Sequence, residues 1–564
     1  MNRKNLLALF ALCALLVAPA VQATTITVIN LDGPNEGYND PTPVAPVGGN
    51  TGTTKGQQRL IAVQFAADVW ASILQSAAPI IIDSQFNSLA CNATSAVLAS
   101  AGAQQVFSGF TNAEIPGIWY HVALANKLAG GDLAPGPLGT TADDIFAQFN
   151  SDLDNPVCLG LQSFYYGLDN IHGTDTDLVA TAIHEIGHGL GFANFANELS
   201  GTLLAGRGDI FSQYTLDTQV HQTWNQMATN AERVASALRT NRIVWNGRNA
   251  KLAGAEYLAP GTPLVRFNSP AIADMRVGEA QFGPLLSSPG VTGDIALAID
   301  ADEDGAGTVA TTTDGCSAIT SNVAGKIAMV DRGNCTFVVK AKSVQDAGAI
   351  GLIVADNAAG SPPAGMSGVD PLVVIPTVRI TRVNGNEVRA ALGVGTVNAT
   401  IGIDLTLKQG LERTTGGVLL NAPDPATTGS SISHWDTIAF PNLTMEPAIS
   451  RDLTHGADIT VDHFVDLGWF SDFDGVPDGV DECVLSDTHA TVVIGGCDSG
   501  VANTVFANGC RISDSITACA DGAGNHGGFV SCVSHYTNDL KKNGTITGAQ
   551  KGAIQSCAGS ANLP

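Results

Sequence analysis

His184-Glu185-Ile186-Gly187-His188 constrains this chain more than any other stretch. On a helix, residues four apart lie on one face, so both imidazoles reach one point. Histidine pairs at this spacing suit Zn²⁺. Glu185 sits about 100° round the helix from His184, beside that point but not on it. A carboxylate there can take a proton from a water held by the ion. Leu178, Val179, Ala182 and Ile183 supply apolar helical positions ahead of the motif. Gly187, Gly189 and Gly191 are expected to weaken the helix where a metal-site turn would end it. The alternative is a pair of core histidines on a buried helix.

Downstream, His188-Gly189-Leu190-Gly191-Phe192 extends the motif to H-E-x-x-H-x-x-G-F, which resembles the metzincin metalloproteases. Most metzincins carry a third His three residues after that glycine, where this chain has Asn194. Ser433-His434-Trp435, followed by Leu443-Thr444-Met445-Glu446-Pro447, resembles the leishmanolysin family, in which the third His sits in an S-H-W segment after an insertion. The resemblance covers two short blocks and their order. It implies His184, His188 and His434 as zinc ligands, Glu185 as catalytic base and Met445 as the turn beneath the metal. Read without it, His434 is a histidine on a Gly/Ser/Pro-rich loop running from Pro423, and His172 and His221 are other candidates that lack a matching motif.

The chain has 564 residues, too many for one core, so three or four domains are expected. Arg3 and Lys4, the apolar run Leu6 to Val17 and Val21-Gln22-Ala23 read as a secretory signal over residues 1–23, with no membrane span left after its removal. Cys13 would leave with it. Ten cysteines remain, an even number that argues for disulfides in an exported chain. Pairing of neighbours is expected: Cys91 with Cys158, Cys316 with Cys335, and three bridges in the tail, where Cys532 and Cys557 could staple two helices. The net charge of −25 disfavours nucleic acid and anionic membrane surfaces as partners.

Along the chain, alternation predicts strands over 24–31, 79–84 and 161–168. Helical spacing predicts a helix over 57–76, weaker helices over 119–128 and 141–149, and a mostly helical stretch over 196–266. From about 265 to 402 a strand, turn, helix, strand pattern recurs. Its runs Lys326-IAMVDRGNCTF-Val338, Ala347-GAIGLIV-Ala355 and Ile375-Pro376 resemble the protease-associated (PA) domain. That resemblance implies a non-catalytic lid or substrate-recruiting module, inserted between the second and third ligands. Residues 452–470 read as a closing helix. Asp472-Phe-Asp474-Gly475-Val-Pro-Asp478-Gly-Val-Asp481 offers alternating carboxylates for Ca²⁺ and resembles a shortened thrombospondin type 3 repeat; an acidic linker is the other reading. Asp300, Asp302 and Asp304 read as a surface loop. The tail reads as two short helices joined at Asn543-Gly544.

The expected architecture is therefore α+β and multidomain: a signal (1–23), a metzincin-like catalytic domain in two parts (24–264 and 403–470), an inserted α/β PA domain (265–402), an acidic calcium-binding-like loop (471–483) and a small disulfide-rich C-terminal region (484–564). The expected activity is that of a secreted zinc endopeptidase acting on proteins or peptides. The alternative is a non-catalytic binding or adhesion protein that uses its PA and tail modules. No G-x-S-x-G elbow supports a serine hydrolase.

Overall fold

The computed structural model describes residues 24–134, 143–155, 157–160, 162–301, 312–561 and 563. The expected signal, Leu161, Asp302 and Asp304 lie outside the described residues. The chain is a mixed α/β, multidomain assembly.

The first body is built on a four-stranded sheet. Ile26–Asn30 (β1), Ile80–Asn87 (β2) and Ile145–Asn150 (β4) run parallel, and Ala99–Ala103 (β3) pairs antiparallel with β4, giving the order β1-β2-β4-β3. Residues 141–149 were expected to be helical. Their described part is mostly strand, because Ile145, Ala147 and Phe149 alternate with polar or half-buried neighbours at period two. Lys55–Ile73 (α1) starts at Thr54, whose side chain and Gln57 form a reciprocal cap. Its stripe Ala62, Val63, Ala66, Ala67 and Trp70 is fully buried. Trp70 Nε1 donates to the Ile183 carbonyl at 2.9 Å, which fixes α1 against Leu178–Leu190 (α3), the helix with the two-histidine motif; Val122–Ala129 (α2) lies between them in sequence.

Helix α3 begins at Asp177, whose carboxylate accepts from the Ala180 N–H at 3.1 Å. Contrary to the expectation, Gly187 and Gly189 do not weaken it, and the helix runs through both to Leu190. They are close-approach residues: a Cβ at Gly189 would lie 2.4 Å from Ile145 of β4, and one at Gly187 would lie 2.7 Å from the Met445 sulfur. Gly191, at φ 142°, then ends the helix by donating to the Gly187 and His188 carbonyls. The stretch 196–266 is less helical than its pattern suggested. It holds the short helices Ile210–Tyr214, Asn230–Ala237 and Arg248–Tyr257, with Thr215–Asp217 and Ile243–Trp245 in a small antiparallel sheet.

A second core surrounds an eight-stranded sheet. Its spatial order is Met275–Arg276, Pro260–Ser269, Asn398–Lys408, Val291–Leu297, Ile327–Asp331, Gly351–Ala355, Thr377–Ile380 and Gly278–Glu279. The four strands from Val291–Leu297 to Thr377–Ile380 are parallel. Ile327–Asp331 and Gly351–Ala355 read as near-continuous apolar runs and are buried almost throughout, as strands in a covered parallel sheet must be. The long antiparallel pair Pro260–Ser269 and Asn398–Lys408 forms the stalk by which the chain enters and leaves this body.

The tail packs a hairpin (Thr491–Ile494, Cys497–Ala502) and helices Ile512–Asp521, His526–Lys542 and Gly548–Ser560 around Phe529, Val533 and Ile554. Cys91–Cys158 and Cys316–Cys335 pair as expected. The tail bridges are Cys483–Cys510, Cys497–Cys557 and Cys519–Cys532, so the expected Cys532–Cys557 staple is replaced. The last helix is tied to the hairpin, an element that the two-helix expectation for the tail lacks. No helix among the described residues is long and apolar enough to cross a membrane.

Candidate metal centre

Three imidazoles from two distant segments meet at one point. His184 Nε2 and His188 Nε2 are 3.1 Å apart, His188 and His434 3.2 Å, and His434 and His184 3.3 Å. The opposite nitrogen of each ring faces a backbone carbonyl: His184 Nδ1 lies 2.7 Å from Thr444 O, His188 Nδ1 2.8 Å from Phe192 O, and His434 Nδ1 3.1 Å from Ser430 O. A carbonyl can only accept, so each Nδ1 carries the proton and each Nε2 presents a lone pair. Three lone pairs aimed at one another call for a cation. Tetrahedral ligands about 2.0–2.1 Å from zinc are spaced by about 3.3 Å, which these nitrogens match.

The electrostatics agree. Burial, then the neighbouring His188, lowers His184 to about 3; burial lowers His188 to about 4; burial and both neighbours hold His434 well below the usual imidazole range. All three rings are neutral at pH 7, the form that ligates. Glu185 is buried beside them, and desolvation pushes its carboxyl up to about 8, countered by a hydrogen bond from the Ala101 backbone. A dication next to it would draw it back down.

Met445 is fully buried under the motif helix, with its sulfur in the space that Gly187 leaves. Thr444, one residue earlier, supplies the carbonyl that orients His184, and the Met445 carbonyl accepts from the Trp435 N–H at 2.8 Å. One turn therefore braces the first ligand and the segment of the third. Asn194 stands outside the ligand cluster. Its N–H donates to Ser433 Oγ at 3.1 Å, and Ser433 Oγ donates to its side-chain oxygen at 2.8 Å, so it anchors the loop of His434. His172 bonds instead to the Asp175 and Arg451 carbonyls, and His221 occupies an exposed turn. The carbonyls of Thr444, Phe192 and Ser430 escaped the sequence reading, since backbone atoms leave no signature in residue identity.

The three histidines and Glu185 line a cleft of about 780 Å³. Residues 95–101, which include part of β3, line it, as do 428–431, 433–434 and 447–449. Strand β3 ends its sheet, so one of its edges remains free of strand partners among the described residues.

A second carboxylate group lies where the first body meets the tail. Asp472, Asp474 and Asp481 bring ligand oxygens within 4.8 Å of one another. One oxygen each of Asp474 and Asp481 is buried without a hydrogen-bond partner among the described residues. Asp478, expected to join them, is absent from this group. Its carboxyl faces Glu114 and Lys127, and burial with the Glu114 charge raises it to about 9.

Residues 291–388 match the family model of the PA domain. Among curated proteins, the chain is 34% identical over 79 residues to the minor extracellular protease Vpr of Bacillus subtilis, covering 14% of this chain and 9% of that protein. It is 37% identical over 78 residues to the probable lipoprotein aminopeptidase LpqL of Mycobacterium tuberculosis, covering 14% and 16%. The chain thus spans less than a fifth of either relative. Among solved structures it is similar to a zinc aminopeptidase from Bacillus subtilis, with a TM-score of 0.19 and 20% identity over 35% of this chain and 42% of that one.

Proposed function

We propose that this chain is an exported zinc-dependent peptidase that cleaves within peptide chains, with a leishmanolysin-like ligand set and an inserted PA domain. The convergence of three neutral, pre-oriented Nε2 atoms beside Glu185 carries this reading. His184, His188 and His434 hold the metal, and Met445 supports them from below. Zinc, when bound, supplies a Lewis acid that polarises the scissile carbonyl and makes water acidic enough to lose a proton near neutral pH. Glu185 takes that proton and returns it to the departing amine. The free edge of β3 offers backbone groups along the cleft wall, on which an extended peptide can lie as an added strand. That favours internal cleavage over removal of a terminal residue. The five disulfides and the leader-like start support export.

Purified protein is expected to carry one zinc per chain and to cleave an internally quenched peptide blocked at both ends. Release of amino acids only from free N-termini would replace the endopeptidase reading with an aminopeptidase one, the activity named for LpqL. Zinc-free protein without cleavage would favour the binding or adhesion reading.

Asp472, Asp474 and Asp481 form the proposed calcium site, supported by the unsatisfied buried oxygens of Asp474 and Asp481. Desolvation raises Asp472 and pushes Asp481 up to about 6, strain that a hard cation would relieve. With zinc retained, added Ca²⁺ is expected to raise the melting temperature. A ligand at 100 times its Kd stabilises by about 2.7 kcal/mol. Asp474→Ala should blunt the gain; equal curves with and without Ca²⁺ in the unsubstituted protein would return the segment to a linker.

A further inference from the structure

The loop carrying His434 is held at both ends by the inserted domain. At its start, Ser361 and Asp424 exchange backbone hydrogen bonds, each 2.8 Å, so the loop is paired to the insertion there. At its end, Arg276, on the edge strand Met275–Arg276, reaches Asp436, two residues beyond the ligand. Arg276 Nη1 lies 2.7 Å from Asp436 Oδ1, and the two side chains are only 10% and 2% exposed. The same guanidinium donates to Asn241 at 3.1 Å and Thr437 at 3.4 Å. Asp436 is fixed in turn: its N–H donates to the Leu419 carbonyl and its carboxylate accepts from the Ile438 N–H, both at 2.9 Å. Within the loop, Asn421 N–H donates to the His434 carbonyl at 2.9 Å. The chain between these anchors therefore has little freedom to carry its imidazole away from the other two.

We propose that the PA domain is a clamp on the metal centre, and that Arg276 is a positioning residue that sets His434 through Asp436. A module expected to recruit substrate thereby becomes part of what keeps the third ligand in register. Arginine suits the task, because its planar fork spans Asp436, Asn241 and Thr437 at once, which a lysine's point charge cannot do. The pair is nearly dry, so truncating one partner strands a buried charge beside the ligand loop. Residues that orient ligands from outside the coordination sphere typically change metal affinity by about 10–100-fold. The inference rests on the zinc-site reading above, yet it can be judged on metal binding without any turnover.

The experiment compares R276M, R276K and a control, R389M, in the full-length chain. Arg389 pairs with Asp331 inside the inserted domain, away from the ligand loop. Zinc affinity is read by competition with a fluorescent chelator, and ligand geometry from the absorption spectrum of the cobalt-substituted protein. R276M is expected to bind zinc about 10–100-fold more weakly, with an altered cobalt spectrum, and R276K to fall between it and the unsubstituted chain. On a short blocked peptide kcat is expected to fall with the altered metal geometry, and KM is expected to rise as well, because residues 428–431 and 433–434 of the clamped loop also line the cleft. R389M should match the unsubstituted chain throughout. Wild-type zinc affinity and cobalt spectrum in folded R276M would overturn the clamp. If R276M does not fold, R276K decides, and an unchanged spectrum in it overturns the clamp equally. Should the unsubstituted chain bind zinc and cleave nothing, the peptidase reading fails, while weakened zinc binding in R276M still supports the clamp.

Discussion

Glu185→Gln protein is expected to keep its zinc and lose about 10²–10⁴-fold in kcat, the usual contribution of a positioned general base. Gln preserves the shape of the side chain and an acceptor oxygen for the Ala101 backbone N–H, so the helix and the three imidazoles have no reason to move. What disappears is the ability to hold a proton between water and the departing amine. Zinc content and cobalt spectrum should therefore match the unsubstituted protein while turnover collapses. KM should change little, because Glu185 accepts a proton and does not grip the substrate. The variant separates metal retention from catalysis, which loss of a ligand would not do. Wild-type turnover at equal zinc content would end the general-base role.

How much of this was legible beforehand depended on the distance over which the information acts. Helix α3 was readable because its cap, apolar spacing and histidine pair lie within one short segment. Its glycines were misread because Gly187 and Gly189 answer to Met445 and Ile145, partners distant in sequence. A glycine's local cost is visible in a sequence, but the close approach that requires it is not. The sequence of Ile145–Asn150 suits a helix as well as a strand, because a short apolar run satisfies either period, and its neighbours in the sheet decide for the strand. His434 was found through a motif resemblance; its isolated position on a loop gave no other pointer. The Arg276–Asp436 pair joins an ordinary arginine to an ordinary aspartate 160 positions on, and neither has a local pattern that marks it. Cys91–Cys158 and Cys316–Cys335 follow neighbour order, whereas in the tail, packing of the last helix on the hairpin brings Cys497 to Cys557 across an intervening pair.

His434→Ala carries the other large expected effect. Removing an outer-sphere partner of a metal ligand costs about 10–100-fold in affinity, so removing the ligand itself should weaken zinc by more than about 100-fold. Two imidazoles on one helix would remain, one short of the three protein ligands a zinc site of this kind uses. Asn194, at the position where most metzincins supply a histidine, has its side-chain oxygen engaged by Ser433, and a neutral amide is a poor partner for zinc beside imidazole. The fold should tolerate the change, since the loop is still held through Asp424, Asn421 and Asp436. Loss of zinc with an intact circular dichroism spectrum is therefore the expected result, with activity falling at least as far as in Glu185→Gln. His172→Ala provides the contrast, because that imidazole bonds to the Asp175 and Arg451 carbonyls and should leave zinc content unchanged. Full zinc occupancy in His434→Ala together with loss in His172→Ala would move the third ligand to the other histidine. The resemblance to leishmanolysin would then fall, because it turns on a ligand supplied from beyond the inserted domain.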